Sequence, residues 1–210
     1  MSTNTFRYRI LVVDDEENIR KMAEAVLQSQ GYEVRCAADG FEGLTALKES
    51  LPDVIISDLR MPNMNGFEFL SVVRKRFPHI AVIAISGEFS GVDVPESVLA
   101  DAFFEKGQYS TEELFKKIIA LLGEVPLRPR VGRQPKPTIW VPLKIDANYV
   151  AVTCTSCLRT FPAPIPVAEG MHTAECDFCG TAIAFQITAD FSELSARRRE
   201  PQTGREHRVA

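Results

Sequence analysis

Long apolar runs are absent from this sequence of 210 residues, and none approaches the roughly 18 residues that a membrane-spanning helix needs. The first apolar stretch, residues 10–13, ends at once in two aspartates, which argues against a signal peptide. Cysteine is scarce, with five in the chain, and without an export signal these do not predict a disulfide framework. We therefore expect a cytoplasmic protein that has no contact with a membrane.

Net charge is small overall but unevenly distributed. The chain carries −4, which divides into −6 for residues 1–122 and +2 for residues 123–210. An acidic first part suits a pocket that binds a cation, and a mildly basic remainder allows an anionic partner without requiring one. A chain of 210 residues has room for two domains, which is our prediction.

Residues 7–122 alternate short apolar runs with helical periods, which predicts an α/β domain. The runs are residues 10–13, 34–37, 54–57, 81–86 and 102–104. Between them lie segments of helical periodicity, so we expect five strands and five helices. Continuous apolar strands are covered on both faces, which indicates a doubly wound parallel sheet with ligands at the carboxyl ends of its strands.

Two of these helices carry clear boundary signals. The first ends at Gly31, and its expected apolar stripe consists of Ile19, Met22, Ala23, Val26 and Leu27. The last begins at a capping box of Ser110 and Glu113, and its expected buried stripe consists of Leu114, Phe115, Ile118, Ile119 and Leu122. Cys36 lies in a strand-like run and is expected to be a small buried residue.

Residues with the chemistry of a phosphoryl site follow the predicted strands. Asp14 and Asp15 follow the first strand, and Asp58 follows the third. Converging carboxylates repel one another, and Mg2+ is a suitable counterion because it binds carboxylates, waters and phosphate oxygens. Ser86 ends the fourth strand and Lys106 follows the fifth, which adds a hydroxyl donor and a cation that could neutralise a phosphate on Asp58.

The order and spacing of four motifs resemble the receiver domain of bacterial two-component response regulators over residues 7–122. The motifs are VVDDE at 12–16, DLRMPNMNG at 58–66, AISG at 84–87 and FFEK at 103–106. The resemblance implies a flavodoxin-like (βα)5 fold. It also implies phosphorelay signalling controlled by a sensor histidine kinase.

The resemblance further implies a role for each residue of the site. Asp58 would be the nucleophile that accepts a phosphoryl group from a phosphohistidine of the kinase. The implied magnesium ligands are Asp14, Asp15, Asp58 and the backbone carbonyl of Arg60. Lys106 and Ser86 would contact the phosphoryl oxygens, and Phe103 would turn inward together with Ser86. Such a protein is a phosphoacceptor with its own aspartyl-phosphate turnover and not an enzyme, and many relatives form homodimers through their last two helices.

One position departs from the family pattern. The family usually has a proline and a cis bond after this lysine, whereas Gly107 follows Lys106 here. A cis bond without proline costs roughly 2.5 to 4 kcal/mol, so we expect a trans bond or a rearranged loop. The alternative for this part is a receiver-like domain that no longer accepts a phosphoryl group. A single aspartate at a strand end is commonly only a loop residue or a helix cap.

The composition changes at residue 123. Residues 123–137 alternate four prolines with basic residues, which predicts a semi-rigid linker that separates two domains without a tight dock. Residues 138–190 are rich in β-branched and aromatic residues, as is typical of short strands. A segment of this size buries too small a hydrophobic core to fold stably alone and needs a stabilising cross-link such as a metal ion. Residues 191–210 are predicted to be a flexible tail.

Four cysteines are candidate ligands for a stabilising metal ion. Cys154-x-x-Cys157 and Cys176-x-x-Cys179 are separated by 18 residues, a spacing typical of structural zinc sites. The segment resembles a zinc ribbon in its cysteines only. Four thiolates on Zn2+ leave no open position for water, so we predict a structural ion and do not require His172 as a ligand. Iron in the same cage, giving a rubredoxin-like electron carrier with a vestigial receiver, and a redox dithiol are the alternatives.

The target of the zinc-ribbon-like domain is not readable from its residues. Ribbons bind nucleic acid or proteins, or only stabilise themselves. Arginines of the linker and of residues 197–199 could contact phosphates, but no recognition helix is evident. We therefore expect an unknown downstream protein as the partner, with a DNA-binding transcriptional regulator as the alternative.

Overall fold

The computed structural model of the protein describes residues 7–87, 99–124, 139–142, 149–164 and 170–188. Its first part contains a sheet of five parallel strands in the order β2-β1-β3-β4-β5. The strands are Arg9–Val13 (β1), Glu33–Ala37 (β2), Val54–Asp58 (β3), Ala81–Ser86 (β4) and Ala102–Glu105 (β5). Because the strand order reverses between β1 and β3, the predicted flavodoxin-like, doubly wound sheet is confirmed.

Four helices accompany these strands in the described part of the chain. They are Glu17–Ser29 (α1), Gly40–Glu49 (α2), Gly66–Arg76 (α3) and Thr111–Glu124 (α4). The fifth expected helix would fall between β4 and β5, where residues 88–98 lie outside the described residues. None of the described helices has the length and apolar character needed to cross a membrane.

Local hydrogen bonds explain where the helices begin and end. At the start of α2, the Asp39 side chain accepts a hydrogen bond from the Glu42 N–H at 2.9 Å. At the start of α4, the predicted capping box is present: Glu113 Oε2 accepts from the Ser110 N–H at 2.7 Å, and Ser110 Oγ accepts from the Glu113 N–H at 3.2 Å. Helix α1 ends before Gly31, whose φ of 88° favours glycine.

Two predictions about helix faces were wrong. Ile119 was expected on the buried stripe of α4 and is 63% exposed, and Met22 of α1 is 60% exposed. The residues of α4 that are buried are Leu114, Ile118 and Leu121, which are spaced four and three residues apart and share one face. Ile119 lies about 100° around the helix from Ile118. The sheet covers a narrower stripe of α4 than its apolar residues occupy.

Strand burial follows position in the sheet. Every residue of β3 and β4 is buried, because both strands lie in the interior of the sheet and have helices on both faces. Strand β2 lies at the edge, and of its five residues only Val34 and Ala37 are buried. Cys36 was expected to be buried and is exposed; it belongs to this edge strand, which has a neighbouring strand on one side only.

The second part of the chain forms two small sheets from short strands, as its composition predicted. The strands are Ile139–Pro142 (β6), Tyr149–Thr153 (β7), Thr160–Pro164 (β8), Gly170–Glu175 (β9) and Ala182–Thr188 (β10). Strands β7 and β8 form one antiparallel hairpin, whereas β10 pairs antiparallel with β9 and parallel with β6. One cysteine pair lies in the turn between β7 and β8, and the other lies between β9 and β10.

The two parts of the chain are in contact, which corrects the expectation of a linker that keeps them apart. Strand β6 lies alongside α3, and a single apolar cluster includes residues of both parts. That cluster contains Leu70 and Val73 of α3 together with Val152 and Phe185 of the small sheets. A Pro-rich composition predicts a stiff connection, but it carries no information about where the connected segment packs.

The predicted linker and tail fall largely on residues that the structure does not describe. Residues 125–137 of the linker and 191–210 of the tail lie outside the described residues. Residues 123 and 124 are described, and they are the last residues of α4 rather than part of a linker.

The first residue of α3 packs against the end of β3. A Cβ on Gly66 would overlap the carbonyl oxygen of Asp58 and lie 2.7 Å from the Cα of Leu59. We expect Gly66→Ala to lower the free energy of unfolding by about 3 kcal/mol, because the obstructing atoms belong to the backbone. Gly123→Ala is the control: its Cβ would meet no atom within 4 Å, and it should raise stability by about 0.5 kcal/mol. Equal stability of the two variants in urea unfolding would contradict the close approach of α3 to Asp58.

Candidate functional site

Three carboxylates converge at the carboxyl end of the parallel sheet. Asp14 and Asp15 follow β1, and Asp58 is the last residue of the neighbouring strand β3. One carboxylate oxygen from each residue lies within 4.8 Å of the other two. Asp14 and Asp58 are buried and Asp15 is exposed, so solvent reaches the cluster from the Asp15 side.

The two buried carboxylates are oriented in the same way. Oδ1 of Asp14 accepts a hydrogen bond from the Glu16 N–H at 2.9 Å, and Oδ1 of Asp58 accepts one from the Arg60 N–H at 3.1 Å. In both cases a backbone N–H of the loop after the strand orients the aspartate side chain that lies two residues earlier. The Oδ2 atoms face Lys106, whose Nζ lies 3.1 Å from Asp14 and 2.6 Å from Asp58.

The Lys106 ammonium is the counterion of the cluster. Its backbone N–H donates to the Ser86 carbonyl at 2.9 Å, which fixes the start of the side chain at the end of β4. Burial disfavours the charged form, but the hydrogen bond and charge of Asp58, followed by those of Asp14, outweigh burial and raise the pKa of Lys106. Lys106 is therefore charged throughout the neutral range.

The pKa of Asp14 is also raised. Burial is the largest cause, and it outweighs the hydrogen bond from the Glu16 N–H and the nearby Lys106 charge, both of which lower the pKa. The charge of Asp58 adds to the rise. Lys106 thus offsets part of the cost of burying the Asp14 carboxylate, and a metal cation in the pocket would offset more of it.

The other predicted site residues lie at neighbouring strand ends. Ser86 is fully buried at the end of β4 and is paired in register with Glu105 of β5. Phe103 is half-buried against the apolar cluster that includes α3. The Lys106–Gly107 bond is trans, as predicted from the missing proline, and Gly107 has a φ of 77°. The structure therefore brings Asp14, Asp15, Asp58 and Lys106 together, with Ser86 bound to the same lysine through its backbone.

Two residues that border the cluster were missed at the level of sequence. The Glu16 carboxylate lies 3.2 Å from Lys106 Nζ, and its position directly after Asp14 and Asp15 was a signal that could have identified it. Tyr109 packs on Phe104 with ring centroids 4.9 Å apart, and burial, followed by the negative charge of Asp14, raises the pKa of its phenol. No motif indicated Tyr109.

The four cysteines of the second part form a separate cluster. Their sulfur atoms all lie within 4.8 Å of one another, with Cys154 Sγ 3.6 Å from Cys179 Sγ and Cys157 Sγ 3.7 Å from Cys176 Sγ. Four sulfurs placed about 2.3 Å from a central Zn2+ would be separated by about 3.8 Å. The donor set and its spacing therefore fit one tetrahedral metal ion.

The two cysteine turns have matching hydrogen bonds. In the first, the Cys154 N–H donates to the Arg159 carbonyl at 2.9 Å and the Leu158 N–H donates to the Cys154 carbonyl at 2.8 Å. In the second, the equivalent bonds join Cys176 to Thr181 at 3.0 Å and Gly180 to Cys176 at 2.9 Å. Leu158 and Gly180 both have positive φ, 56° and 68°. Each turn thus uses one left-handed residue to aim two sulfurs at a common point.

The thiols of the cluster differ in acidity. Hydrogen bonds from Thr181 lower the pKa of the exposed Cys179 to about 6, whereas burial raises the pKa of Cys154 to about 12. Because the sulfurs of these residues are 3.6 Å apart, a thiolate at Cys179 opposes ionisation of Cys154. A metal cation bound between these two sulfurs would stabilise both of them as thiolates.

Comparison with known proteins identifies the first part of the chain. The family model for the response regulator receiver domain matches residues 10–118. The DNA-binding response regulator MtrA of Mycobacterium tuberculosis is 35% identical over 91 residues, which cover 43% of this chain and 40% of that protein. The chain therefore spans less than half the length of this curated relative.

Solved structures of similar proteins match the same share of the chain. The Vibrio cholerae chemotaxis protein CheY4 is 35% identical, with a TM-score of 0.50, and the match covers 55% of this chain and 99% of that one. The response regulator protein TrrA of Thermotoga maritima, solved in complex with Mg2+-BeF, is 34% identical with a TM-score of 0.50, over 54% of this chain and 98% of that one.

Replacing the counterion tests the electrostatics of the carboxylate cluster. We expect Lys106→Met to lower the free energy of unfolding in metal-free buffer by about 1 to 3 kcal/mol, because two buried carboxylates lose their cation. Since the pKa of Lys106 is raised in the folded protein, its contribution persists at neutral pH and declines only as pH rises above 10.5. Lys116→Met is the control, because Lys116 pairs with Glu112 in full solvent and should change stability by less than about 0.5 kcal/mol. Urea unfolding that shows equal losses in both variants would contradict the role of Lys106.

Proposed function

Because the chain belongs to the response regulator receiver domain family, we propose that it is a phosphorylation-controlled signalling protein of a two-component pathway. In this proposal Asp58 accepts a phosphoryl group from a sensor histidine kinase, and the four-cysteine domain passes the phosphorylation state to a downstream protein. The observation that carries the proposal is the position of Asp58, whose Oδ2 lies 2.6 Å from Lys106 beside the carboxylates of Asp14 and Asp15.

The residues of the pocket fit a magnesium ion. Two oxygens on opposite sides of octahedral Mg2+ are about 4.2 Å apart, and the carboxylate oxygens here lie within 4.8 Å of one another, so small rotations would bring them into one coordination shell. The residues proposed to hold the ion are Asp14, Asp15, Asp58 and, through its backbone carbonyl, Arg60. Bound Mg2+ would neutralise charge on the phosphoryl oxygens. The relative TrrA, solved with Mg2+-BeF, supports this assignment.

The proposed chemistry asks for positioning more than for covalent assistance. One carboxylate oxygen of Asp58 bonds to phosphorus while the bond from phosphorus to the kinase histidine nitrogen breaks. Lys106 Nζ lies 2.6 Å from Asp58 Oδ2, close enough to donate a hydrogen bond to a phosphoryl oxygen after transfer. The Ser86 hydroxyl is proposed as a second donor to the phosphoryl group. Inward movement of Ser86 would leave space for Phe103, which is proposed as the switch aromatic. The protein would be a phosphoacceptor that hydrolyses its own aspartyl phosphate, not an enzyme with a separate substrate.

The four-cysteine domain is proposed to be a zinc ribbon in which Zn2+ is structural. Cys154, Cys157, Cys176 and Cys179 would be the ligands. Support comes from the tetrahedral spacing of the sulfurs and from the matched turns that present them. The two sheets of this domain are small, so the ion would supply part of its folding free energy. Iron in the same cage is the alternative, because an all-sulfur tetrahedron suits either metal.

DNA is the alternative partner for the domain. The name of the relative MtrA contains the words "DNA-binding", and that protein shares 35% identity over 91 residues with this chain. In the described residues of the four-cysteine domain, the exposed Phe178 packs under the guanidinium of Arg159 at 5.1 Å, which is one aromatic and one cation rather than a basic surface. We therefore favour a protein partner. Duplex binding whose affinity falls steeply with salt would favour DNA instead.

The phosphoacceptor can be tested directly. Incubation with a small phosphodonor and Mg2+ is expected to add one phosphoryl group to the intact chain, measured by mass spectrometry, and Asp58→Asn is expected to abolish the addition. Asp53→Asn is a matched control. Asp53 lies just before the amino end of β3, at the opposite end of the strand from Asp58, and its substitution should not affect labelling. Labelling that persists in Asp58→Asn would place the acceptor elsewhere.

The metal site is tested by removing one ligand. Elemental analysis of the purified chain is expected to find one zinc ion per molecule, and iron would support the electron-carrier alternative. Cys176→Ser should release the metal and unfold strands β7 to β10 while Asp58 remains able to accept phosphate. Cys36→Ser, which changes the exposed cysteine outside the cluster, should keep the metal. Unchanged far-ultraviolet circular dichroism after chelation would contradict a structural role for the ion.

A further inference from the structure

Helix α3 is buried on opposite sides. Leu70 and Val72 are two residues apart, so their side chains leave the helix about 200° apart, yet they are only 1% and 0% exposed. Ser71 between them is also fully buried, with its hydroxyl donating to the Glu68 carbonyl at 2.7 Å. A helix that packs only against a sheet keeps an exposed polar face. Helix α3 therefore has partners besides the sheet, and α2, whose Gly43 lies against Phe69, is one of them.

The four-cysteine part of the chain is a further partner of α3. Strand β6 runs alongside α3, and the apolar cluster that contains Val72 continues into Val152 and Phe185. Strand β6 pairs with β10, and β10 pairs with β9, after which Cys176 opens the second cysteine turn. Strand pairing and packing thus form a continuous connection from α3 to the sulfur cluster.

The same helix begins at Asp58. The Gly66 N–H donates to the Leu59 carbonyl at 3.0 Å, and the space between Gly66 and the Asp58 carbonyl is too small for a Cβ. Asn65 and Glu68 close the first turn with a capping box, with bonds of 2.9 and 3.2 Å. Movement of the loop after Asp58 must therefore carry the first turn of α3 with it.

The geometry points to α3 as the connection between the two sites. Its outer face, which includes Ser71 and Val72, is the docking surface for β6 and the strands of its sheet, and a phosphoryl group on Asp58 changes this dock by shifting the first turn of the helix. The docking surface stands on packing alone. The transmission step rests on the proposed function of Asp58. The output of this receiver domain is thus the docked or released state of its own four-cysteine domain.

A substitution on the outer face tests the dock. Val72→Arg in the full chain should speed amide hydrogen exchange of residues 170–188 on the order of tenfold, because a long charged side chain cannot be accommodated at a fully buried position of the helix that β6 contacts. Ile119→Arg is the matched control: it places the same side chain on an exposed apolar position of α4 and should leave exchange unchanged. Val72→Thr is a milder variant for the case in which Val72→Arg disturbs the receiver domain, and protection of β1 and β3 reports that case. Unaltered exchange of residues 170–188 in both Val72 variants would overturn the dock.

Phosphorylation of the unmodified chain tests the transmission. A small phosphodonor with Mg2+ should change exchange both in α3 and in residues 170–188 by about fivefold or more, and Asp58→Asn should abolish the change. A response confined to residues 99–124, with α3 and residues 170–188 unaffected, would overturn transmission through α3. The mass of the chain is measured in the same samples. Absence of phosphoryl addition would overturn the proposed function of Asp58 and the transmission with it, whereas the Val72 variants would still decide the dock.

Discussion

The contact between the Lys106 ammonium and the buried carboxylates of Asp14 and Asp58 is the interaction on which the receiver domain depends. Strand order creates the need for it, because placing β1 beside β3 brings these two aspartates together in a buried position. The cation comes from Lys106, the residue after β5, which lies two strands away from β3 and roughly 10 Å distant at the usual strand spacing. A lysine has the reach to cross that distance, and its backbone bond to Ser86 holds it in register with β4.

Much of this site could be predicted from the sequence, because the carboxyl ends of parallel strands meet at one edge and the residues that follow each strand are read directly. The wrong predictions concern the burial of side chains, which depends on the neighbouring strands and helices. Cys36 looked buried because its run is apolar, but the edge position of β2 is set by strand order, which a single strand does not encode. Ile119 looked buried because it is one residue from the true stripe, and the width of that stripe depends on how much of α4 the sheet covers.

The cysteine cluster was predictable for a different reason, since its geometry is local. Each turn is closed by hydrogen bonds between residues four or five apart, so the spacing of two residues within each pair determines where the sulfurs point. Of the two residues with positive φ that complete these turns, only the glycine could be predicted from the sequence. Gly180 is an ordinary choice for positive φ, whereas Leu158 adopts it without that freedom and is buried in the domain core. Packing of Leu158 thus holds one turn in the shape that glycine permits in the other.

The least predictable feature is the one that joins the two sites. In sequence, α3 differs from an ordinary amphipathic helix only in carrying Ser71 and Val72 where an exposed helix would carry charged residues, and two residues are too few to identify a docking face. Once β6 lies against this face, the helix is packed at both of its sides and at its first turn, so none of its contacts can change alone. Under the proposed function, linkage requires the effect to run both ways: by whatever free energy phosphorylation of Asp58 shifts the docking equilibrium, a shift of that equilibrium changes the stability of the phosphorylated conformation of the pocket by the same amount. A partner that binds the four-cysteine part in the state that phosphorylation favours would therefore bias the receiver domain toward its phosphorylated conformation without touching Asp58.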